Sequence, residues 1–325
     1  MSRLALVTGA TGFAGSHVLE ALLAAGWRVR VPVRPTSDRR WVPQGAVECV
    51  PAELRDPGSL PALVADAAWV VHFGGVTRTP RRAEYFDVNT EGTRRLEQAA
   101  REAGAELFLL CSSLAASGPA PAAGRPRRES DPPAPITPYG ESKLAAERAL
   151  LEGPAGGPRV LIVRPPAIYG PRDRAVLEFF RWTRRGILPL PPARDARASL
   201  VHARDLAEAC VFLAGSGASG IFHVSDGELH SWDDVGAIAG RSLGRRLRRV
   251  RVPAAAARVA GWIGECRGRL TGRLPVINAD KVRDLLQPYW ICDISRLRQA
   301  GYTPRIGLAS GIAETLEWYR REGWL

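Results

Sequence analysis

The chain has 325 residues, enough to bury a full hydrophobic core in one large domain or in two smaller ones. Its apolar and charged fractions are those of a globular protein, and it lacks the run of about eighteen uncharged apolar residues that predicts a membrane span. The formal net charge is +12, and nearly all of the basic residues are arginines, because Lys143 and Lys281 are the only lysines. We interpret this excess of arginine as a compositional bias and expect no nucleic-acid partner.

Short β-branched runs alternate with helical patterns over residues 1–165, which is typical of a parallel α/β sheet. The predicted strands are Leu4–Val7, Val29–Val33, Val47–Val50, Trp69–His72, Leu107–Cys111 and Val160–Val163. The predicted helices are Gly12–Ala25, Ser59–Ala65, Val88–Ala103 and Tyr139–Leu151. Proline cannot donate to a strand ladder, so Pro32 predicts that the second strand is short or bulged.

The rhythm is less regular after Arg164. Strands are predicted at Ser199–Val201 and Ile221–Val224, and helices at Asp205–Ala214, Trp232–Ala239, Ala254–Ile263 and Ala309–Arg320. We therefore expect a Rossmann-like, doubly wound parallel sheet with a smaller mixed C-terminal substrate lobe. The dinucleotide-binding domain is predicted to span 1–170 and to regain 199–224, while 171–198 and 225–325 belong mainly to the substrate lobe.

A glycine-rich segment, Thr8-Gly9-Ala10-Thr11-Gly12-Phe13-Ala14-Gly15, follows the first strand and opens the first helix. Gly9 permits a tight turn, Gly12 lets the backbone approach a pyrophosphate, and Gly15 allows close packing of helix on strand. The helix N-terminus adds free N–H groups for the phosphates. This βαβ frame predicts a dinucleotide site; the alternative is a tight turn that binds nothing.

The end of the second strand indicates which dinucleotide is bound. An NAD enzyme places an acid there, against the ribose 2′-hydroxyl. Here the strand ends in Val33-Arg34, and the next acid is Asp38. A guanidinium can bind a phosphate through two hydrogen bonds, so Arg34 favours NADP(H) over NAD(H) unless it is simply one more surface arginine.

A serine, a tyrosine and a lysine form the candidate catalytic set. Tyr139-Gly140-Glu141-Ser142-Lys143 opens a predicted helix, so Tyr139 and Lys143 lie one turn apart on one face. Ser112-Ser113 follows a strand whose carboxyl end is where a doubly wound sheet binds ligands. We expect Lys143 to lower the pKa of Tyr139 from its ordinary value of about 10, and Ser113 to hold the reacting oxygen.

These motifs together resemble the extended short-chain dehydrogenase/reductase family over nearly the whole chain. The further carriers of the resemblance are Val71-His72-Phe73-Gly74-Gly75, Asn89-Thr90-Glu91-Gly92-Thr93, Arg164-Pro165-Pro166-Ala167-Ile168-Tyr169-Gly170-Pro171, Val201-His202-Ala203-Arg204-Asp205 and Trp318-Tyr319. The resemblance implies a homodimer in which Ser113, Tyr139 and Lys143 are the catalytic triad. It also implies a cofactor site of Gly9, Thr11, Gly12, Phe13, Ala14, Gly15, Arg34, Glu53, Leu54, Phe73, Gly74, Gly75, Asn89, Tyr139, Lys143, Pro165 and Ile168.

Departures from the family pattern help to choose a reaction. In many members an acid near Glu53 reads the adenine amino group, although it is usually Asp. Leu114-Ala115 follow Ser113 where the 4,6-dehydratases carry an Asp-Glu pair, and Ala167 stands where epimerases and dehydratases usually have Asn. The absence of the dehydratase and epimerase residues, together with the presence of Arg34, favours the dihydroflavonol-reductase-like branch. We therefore expect a carbonyl/alcohol oxidoreductase with a small-molecule substrate.

Two other functions stay open. Arg172 and Arg197 could grip a diphosphate, which keeps a nucleotide-sugar epimerase with a retained cofactor among the candidates. A non-catalytic NADP(H)-binding sensor is the third hypothesis, although such proteins often lose the Tyr or the Lys that is present here. The five cysteines have no metal-ligand spacing, so we expect no metal and a reducing compartment; with no leader pattern before the first strand, the predicted location is cytoplasmic.

Several features outside the triad allow more than one interpretation. His72 and His202 beside strands are predicted to be structural. The segment Gly118–Pro138 is either a flap over the substrate or a plain surface loop. Trp262 and Trp290 are candidates for lining an apolar pocket, and Ala254–Ile263 is either an amphipathic core helix or a helix that touches a membrane surface.

Overall fold

The computed structural model describes residues 3–272, 275 and 277–325. In chain order the strands are β1 (Leu4–Thr8), β2 (Arg28–Val33), β3 (Val47–Pro51), β4 (Trp69–His72), β5 (Leu107–Cys111), β6 (Arg159–Arg164), β7 (Ala167–Tyr169), β8 (Ile187–Leu190), β9 (Arg197–Ala198), β10 (Leu200–His202), β11 (Gly220–His223), β12 (His230–Ser231), β13 (Arg248–Arg251) and β14 (Tyr289–Trp290). The helices are α1 (Phe13–Ala24), α2 (Leu60–Val64), α3 (Arg82–Tyr85), α4 (Gly92–Glu102), α5 (Leu114–Ser117), α6 (Pro138–Leu151), α7 (Leu177–Arg184), α8 (Ala203–Gly215), α9 (Trp232–Leu243), α10 (Ala254–Thr271), α11 (Ala279–Leu286), α12 (Ser295–Gln299) and α13 (Leu308–Arg321).

The main sheet has seven parallel strands in the order β3-β2-β1-β4-β5-β6-β11. The chain leaves β1 toward one edge through β2 and β3, then crosses back to β4 on the other side of β1. The strand order therefore reverses at β1, and the carboxyl ends of β1 and β4 flank the crevice where such sheets bind ligands. The predicted doubly wound α/β sheet is confirmed.

Apolar clusters cover both faces of this sheet. On one face α1 and α8 bury side chains such as Leu19 and Leu206 against the strands. On the other face α2, α4 and α6 contribute Leu63, Leu96 and Leu150. Because both faces are covered, the near-continuous apolar character of the strands follows from their burial.

Two details of the first region differ from the sequence prediction. Pro32 neither shortens nor bulges β2, since it stands opposite Val50 in the ladder with β3. The ladder of β2 with β1 already ends at Arg30, so the N–H that proline lacks costs no bond to β1. The helix predicted to begin at Val88 is preceded by helical chain from Arg82, joined to α4 through a π-helical turn at Phe86–Glu91.

The C-terminal region is smaller and mixed, as predicted. It contains a parallel pair β7–β10, a three-stranded sheet β12-β9-β14 with both orientations, and a parallel pair β8–β13. A third apolar cluster joins α7, α9 and α13 and buries Phe180, Ile312 and Tyr319. Among the residues described, no helix is long and apolar enough to cross a membrane.

The segment Gly118–Pro138 is a surface loop tied to the C-terminal region. The N–H groups of Ala120 and Arg127 donate to the carbonyl oxygens of Tyr289 and Ile291, and Asp293 returns a hydrogen bond to Arg127. The Glu129 carboxylate accepts from the backbone of His223. This segment contributes no residue to the wall of the cavity described below.

Candidate active site

A cavity of about 880 Å³ opens at the carboxyl ends of the parallel strands, between the main sheet and the C-terminal region. Its walls come from the loops after β1, β4, β5 and β6 on one side, and from α7, α9 and α13 on the other. The cavity therefore lies at the switch point of the sheet, where the strand order reverses.

The glycine turn after β1 forms one end of this cavity. Gly9 has φ +74° and lies so close to the next loop that a Cβ there would stand 2.5 Å from the carbonyl carbon of Phe73. A Cβ on Gly15 would collide with the carbonyl oxygen of Gly9, which explains why α1 can begin directly on the turn. Gly12 precedes α1 and lines the cavity, so a bound phosphate would meet the N-terminus of α1 there.

Asn89 braces the loop that follows β4. Its Oδ1 accepts from the N–H of Val76 at 2.8 Å, and its Nδ2 donates to the Val76 carbonyl and to Ser142 Oγ, each at 2.9 Å. A Cβ on Gly75 would stand 2.9 Å from Asn89 Oδ1. This side chain thus fixes the cavity wall at Gly74–Val76 against α6.

The adjacent serines after β5 point to different surroundings. Ser112 is buried and donates to Glu147, whose carboxylate also receives two hydrogen bonds from Arg164, at 2.9 and 2.5 Å. Ser113 caps the short helix α5, with Oγ accepting from the N–H of Ala115 at 3.1 Å, and it lines the cavity. Ser112 therefore ties β5 and β6 to α6, whereas Ser113 is available to a ligand.

Tyr139 and Lys143 lie one turn apart on α6, whose N-terminus is capped by the Thr137 side chain. Both residues line the cavity beside Ser113, and the Ser113 side chain hydrogen-bonds the Tyr139 hydroxyl. Lys143 is buried, with only 4% of its surface exposed. The fold thus brings together the three residues that the sequence predicted to act as one set.

The protonation of this set differs from the expectation. Burial raises the pKa of Tyr139, the neighbouring Cys111 thiol raises it further, and the hydrogen bond from Ser113 only partly opposes them. Burial also lowers the pKa of Lys143 and raises that of Cys111 to about 12. The expected lowering of the Tyr139 pKa is not found in this structure, because desolvation of the phenolate raises that pKa and the neighbouring Cys111, Tyr85 and Asp284 raise it further.

Most of the predicted cofactor residues lie on one continuous wall. Those that line the cavity are Gly9, Thr11, Gly12, Phe13, Ala14, Gly15, Phe73, Gly74, Gly75, Asn89, Tyr139, Lys143, Pro165 and Ile168. Arg34, Glu53 and Leu54 are not part of this lining. Arg34 and Glu53 are exposed, and the Leu54 side chain packs behind Gly74 and Gly92.

Some lining residues had escaped the sequence analysis. Asp38, Arg40 and Trp41 reach the cavity from the loop after β2, where Arg40 pairs with Asp38 and lies 5.8 Å from the centre of the Trp41 ring. Their only signal was proximity to Arg34. Arg172 also lines the cavity, stacks on Trp41 and pairs with Glu20, but Arg197 lies in β9 outside the lining.

Part of the cavity wall is apolar. Its apolar side chains come from the C-terminal region and the loops leading to it, namely Phe179, Phe180, Leu200, Trp232, Val235, Leu308, Ile312 and Trp324. The same region also contributes Arg172, Asp173, Arg174, His230, Ser231 and Lys281 to the lining. Of the two tryptophans singled out from the sequence, neither lines the cavity. Trp290 donates to the carbonyl of Asp284, and Trp262 is 67% exposed.

The predicted structural histidines are buried among backbone and hydroxyl groups. His72 hydrogen-bonds Thr8 and Thr93 through its two ring nitrogens, and burial lowers its pKa to about 3. His202 begins α8 by accepting from the N–H of Arg204, and burial lowers its pKa to about 3 as well. In the described chain, no group of three or more His, Cys, Asp and Glu side chains is arranged to hold a metal.

Fold and cavity together define an α/β protein built to hold a dinucleotide at the switch point of its sheet. The chain belongs to the NAD dependent epimerase/dehydratase family, whose family model matches residues 5–224. The protein is accordingly an NAD(P)-dependent, oxidoreductase-like enzyme of this family.

Individual relatives cover nearly the whole chain. The ceramide reductase of Caulobacter vibrioides is 33% identical, covering 98% of this chain and 95% of its own. Among solved structures, gox2253 matches with a TM-score of 0.82 at 26% identity, covering 100% of each chain. The UDP-glucose 4-epimerase of Thermus thermophilus, solved in complex with NAD, matches with a TM-score of 0.78 at 26% identity, covering 98% of this chain and 99% of its own.

Proposed function

We propose that the protein is an NADP(H)-dependent carbonyl reductase that acts on an apolar substrate. The observation that carries this proposal is the lining of one cavity. It combines the glycine turn with Ser113, Tyr139 and Lys143 and with the apolar side chains from the C-terminal region, here called the apolar chamber. Similarity to a ceramide reductase over 98% of the chain supports a long-chain substrate.

The residues present fit an NADP(H) molecule. Gly12 and the N-terminus of α1 would hold the pyrophosphate, and Lys143 would contact the ribose beside the nicotinamide. Arg34 is proposed for the 2′-phosphate, with Arg40 close to it in the chain and on the cavity wall. When bound, the reduced nicotinamide supplies the hydride that adds to the substrate's carbonyl carbon.

Tyr139 is the proposed proton donor. Because burial raises its pKa, the phenol is protonated at neutral pH and can give its proton to the carbonyl oxygen as that oxygen gains charge. Ser113 donates a hydrogen bond to the same oxygen, and the Lys143 ammonium stabilises the phenolate that proton transfer leaves behind.

An apolar substrate suits the chamber better than a nucleotide sugar. Burying an alkyl chain among Trp232, Leu308 and Ile312 is favourable by about 0.8 kcal/mol for each methylene. Arg174 and Lys281 also line the cavity and are the groups that a phosphate would meet there. Of the two arginines that could have gripped a diphosphate, Arg197 is outside the lining and Arg172 already pairs with Glu20.

Replacing Tyr139 by Phe tests the mechanism. With a long-chain ketone and NADPH, we expect the variant to lose about 1000-fold in kcat while its affinity for NADPH stays unchanged. Tyr85→Phe is the matched control, because its ring centre lies 6.2 Å from that of Tyr139 but outside the cavity lining. A fully active Tyr139→Phe enzyme would contradict the proposed role.

A nucleotide-sugar epimerase is the second candidate, favoured by Arg172 on the cavity wall. Its signature is interconversion of two sugar epimers with no net change in nicotinamide absorbance during turnover. Stoichiometric consumption of NADPH with an apolar ketone supports the reductase instead. Cofactor binding without turnover of either substrate class would identify a non-catalytic sensor.

A further inference from the structure

Helix α10 is packed with its small residues inward and its large apolar residues outward. The buried positions recur every three or four residues and are Ala257, Gly261, Gly264 and Gly268. The outward side chains, here called the apolar stripe, are Val259, Trp262, Ile263 and Leu270, with exposures of 57, 67, 54 and 87%. An amphipathic core helix would show the opposite arrangement, so the sequence prediction of such a helix here is wrong.

The small residues face inward because α11 approaches α10 closely. A Cβ on Gly261 would stand 2.8 Å from the Val282 side chain, and one on Gly264 would collide with the backbone of Ile277. No larger residue fits on that side. The close packing of α11 against the glycine face of α10 therefore determines the rotation of α10 and leaves the apolar stripe exposed.

The stripe is narrow and is bordered by cations. At about 100° per residue, Val259, Ile263 and Leu270 lie within about 40° of one another, and Trp262 lies about 60° from Val259. On the same count the stripe is opposite the glycines. The flanking arginines stand to either side of it and are all exposed: Arg258, Arg267 and Arg269. Two exposed valines, Val250 and Val252, precede the helix in the chain.

This pattern matches an anionic lipid surface. A helix that lies in the membrane interface has a face with Trp, Leu and Ile and a border of Lys or Arg that meets lipid phosphates. Tryptophan is the residue enriched at the boundary between headgroups and acyl chains. A second copy of this chain is a poor match, because each copy would bring the same arginines to the contact and the chain carries a net charge of +12.

Helix α10 lies near the cavity, so a membrane bound at its apolar stripe would be close to the site that receives the substrate. Helix α10 packs on α11, and Lys281 of α11 lines the cavity. A bilayer under the stripe would thus lie one helix away from the cavity that receives the substrate.

We propose that α10 docks the protein onto the surface of an anionic phospholipid bilayer, with the apolar stripe at the acyl boundary and the flanking arginines on lipid phosphates. The docked helix lies parallel to the membrane plane. This inference concerns binding to a surface and does not depend on which carbonyl the enzyme reduces.

The test is flotation of the full-length protein with vesicles of phosphatidylcholine containing phosphatidylglycerol, compared with phosphatidylcholine alone. We expect binding to the anionic vesicles that weakens with salt. The combined variant Trp262→Ser, Ile263→Ser and Leu270→Ser should bind at least about tenfold more weakly, since each change removes buried apolar area. Leu151→Ser is the matched control, being a 49% exposed leucine in the last turn of α6, and it should bind like the wild type.

Replacing the flanking arginines by Gln should reduce vesicle binding about fivefold for each lost charge and flatten its salt dependence. Wild-type protein that stays unbound, or a stripe variant that binds like the wild type, overturns the proposal. Dimerisation that the stripe variant abolishes, without vesicle binding, would assign the stripe to a second copy and also overturn it.

The same variants separate this inference from the proposed reductase. Reduction of a water-soluble ketone without vesicles should be unchanged in the stripe variant, because none of its positions lines the cavity. Failure of that reaction in the wild type would count against the reductase and leave the vesicle result intact.

Discussion

The main-sheet region, which comes first in the chain, and the C-terminal region, which comes second, use glycine for opposite purposes. In the first region Gly9 and Gly15 let a strand, a helix and the neighbouring loop approach one another, and the space left over receives a dinucleotide in the proposed function. In the second region Gly261 and Gly264 draw α10 onto α11 and leave its large apolar residues outside. Close packing forms a cavity in one case and a surface in the other.

The regions also divide the proposed chemistry. The candidate catalytic side chains and the cofactor wall come from the sheet and the loops at its carboxyl edge, whereas the apolar chamber comes from α7, α9 and α13. Changes in the first region should therefore affect every substrate alike, and changes in the second should affect substrates according to their length. The following predictions test that division.

Among the changes that test this division, the largest effect is expected from Gly15→Ala. The new Cβ meets the carbonyl oxygen of Gly9, so α1 must move away from the turn that holds the pyrophosphate. We expect the dissociation constant of NADPH, measured by calorimetry, to rise about 100-fold, which equals about 2.8 kcal/mol. Gly215→Ala in α8, where a Cβ meets nothing within 4 Å, is the control. Unchanged NADPH affinity in a folded Gly15→Ala protein would exclude the turn as the cofactor site.

Arg34→Ala should weaken NADPH binding about 30-fold and leave NADH binding unaltered, since a charged hydrogen-bonded pair contributes about 2 kcal/mol. Arg39→Ala in the same loop is the matched control, both arginines being exposed. A loss that follows Arg40→Ala instead would move the 2′-phosphate to the arginine that lines the cavity. Equal affinity of the wild type for both cofactors would contradict the NADP(H) preference.

Trp232→Leu should raise KM about tenfold for a long-chain ketone and leave kcat for a short one unchanged. The physical reason is the loss of apolar contact in the chamber, worth about 1.4 kcal/mol. Trp182→Leu serves as the control because this tryptophan is 44% exposed on α7 and outside the cavity lining. If Trp232→Leu slowed short and long ketones equally, the division between the regions would not hold.

The last prediction concerns stability rather than activity. His72 has a folded pKa of about 3 against an ordinary value of 6.5, so between these values the unfolded chain binds the extra proton. The free energy of unfolding should thus fall as pH drops below 6.5, by about 1.4 kcal/mol per pH unit for this residue. His72→Gln should show a flatter decline in urea unfolding followed from about pH 6 to about pH 4. Parallel curves for the two proteins would refute the assignment.

Much of the first region could be predicted from the sequence because its signals are local. An apolar run, a glycine turn and a helical period each involve residues close in the chain, and so does the spacing of Tyr139 and Lys143 on one helical turn. The family resemblance implied Ser113 rather than Ser112; both serines line the cavity, and the Ser112 side chain is engaged by Glu147. The predicted homodimer stays a prediction.

Other features depended on distant partners and were missed or misread. Arg40 and Trp41 reach the cavity through the path of a loop, and no pattern in the chain signals that path. The pKa of Tyr139 was expected to fall near Lys143, but it rises because the surrounding residues exclude water from the phenol. The spacing of residues in a sequence shows which charged groups lie near a titratable side chain. Only tertiary packing shows how far that side chain is desolvated.

The sequence by itself determined the parallel α/β sheet, the glycine turn and the composition of the candidate triad, since periodicity and short-range spacing encode all three. Tertiary structure alone decided which residues face the cavity, that part of its wall is apolar, and that α10 exposes its large residues. Those outcomes depend on how closely separate elements approach, as α11 does where Gly261 and Gly264 leave it room.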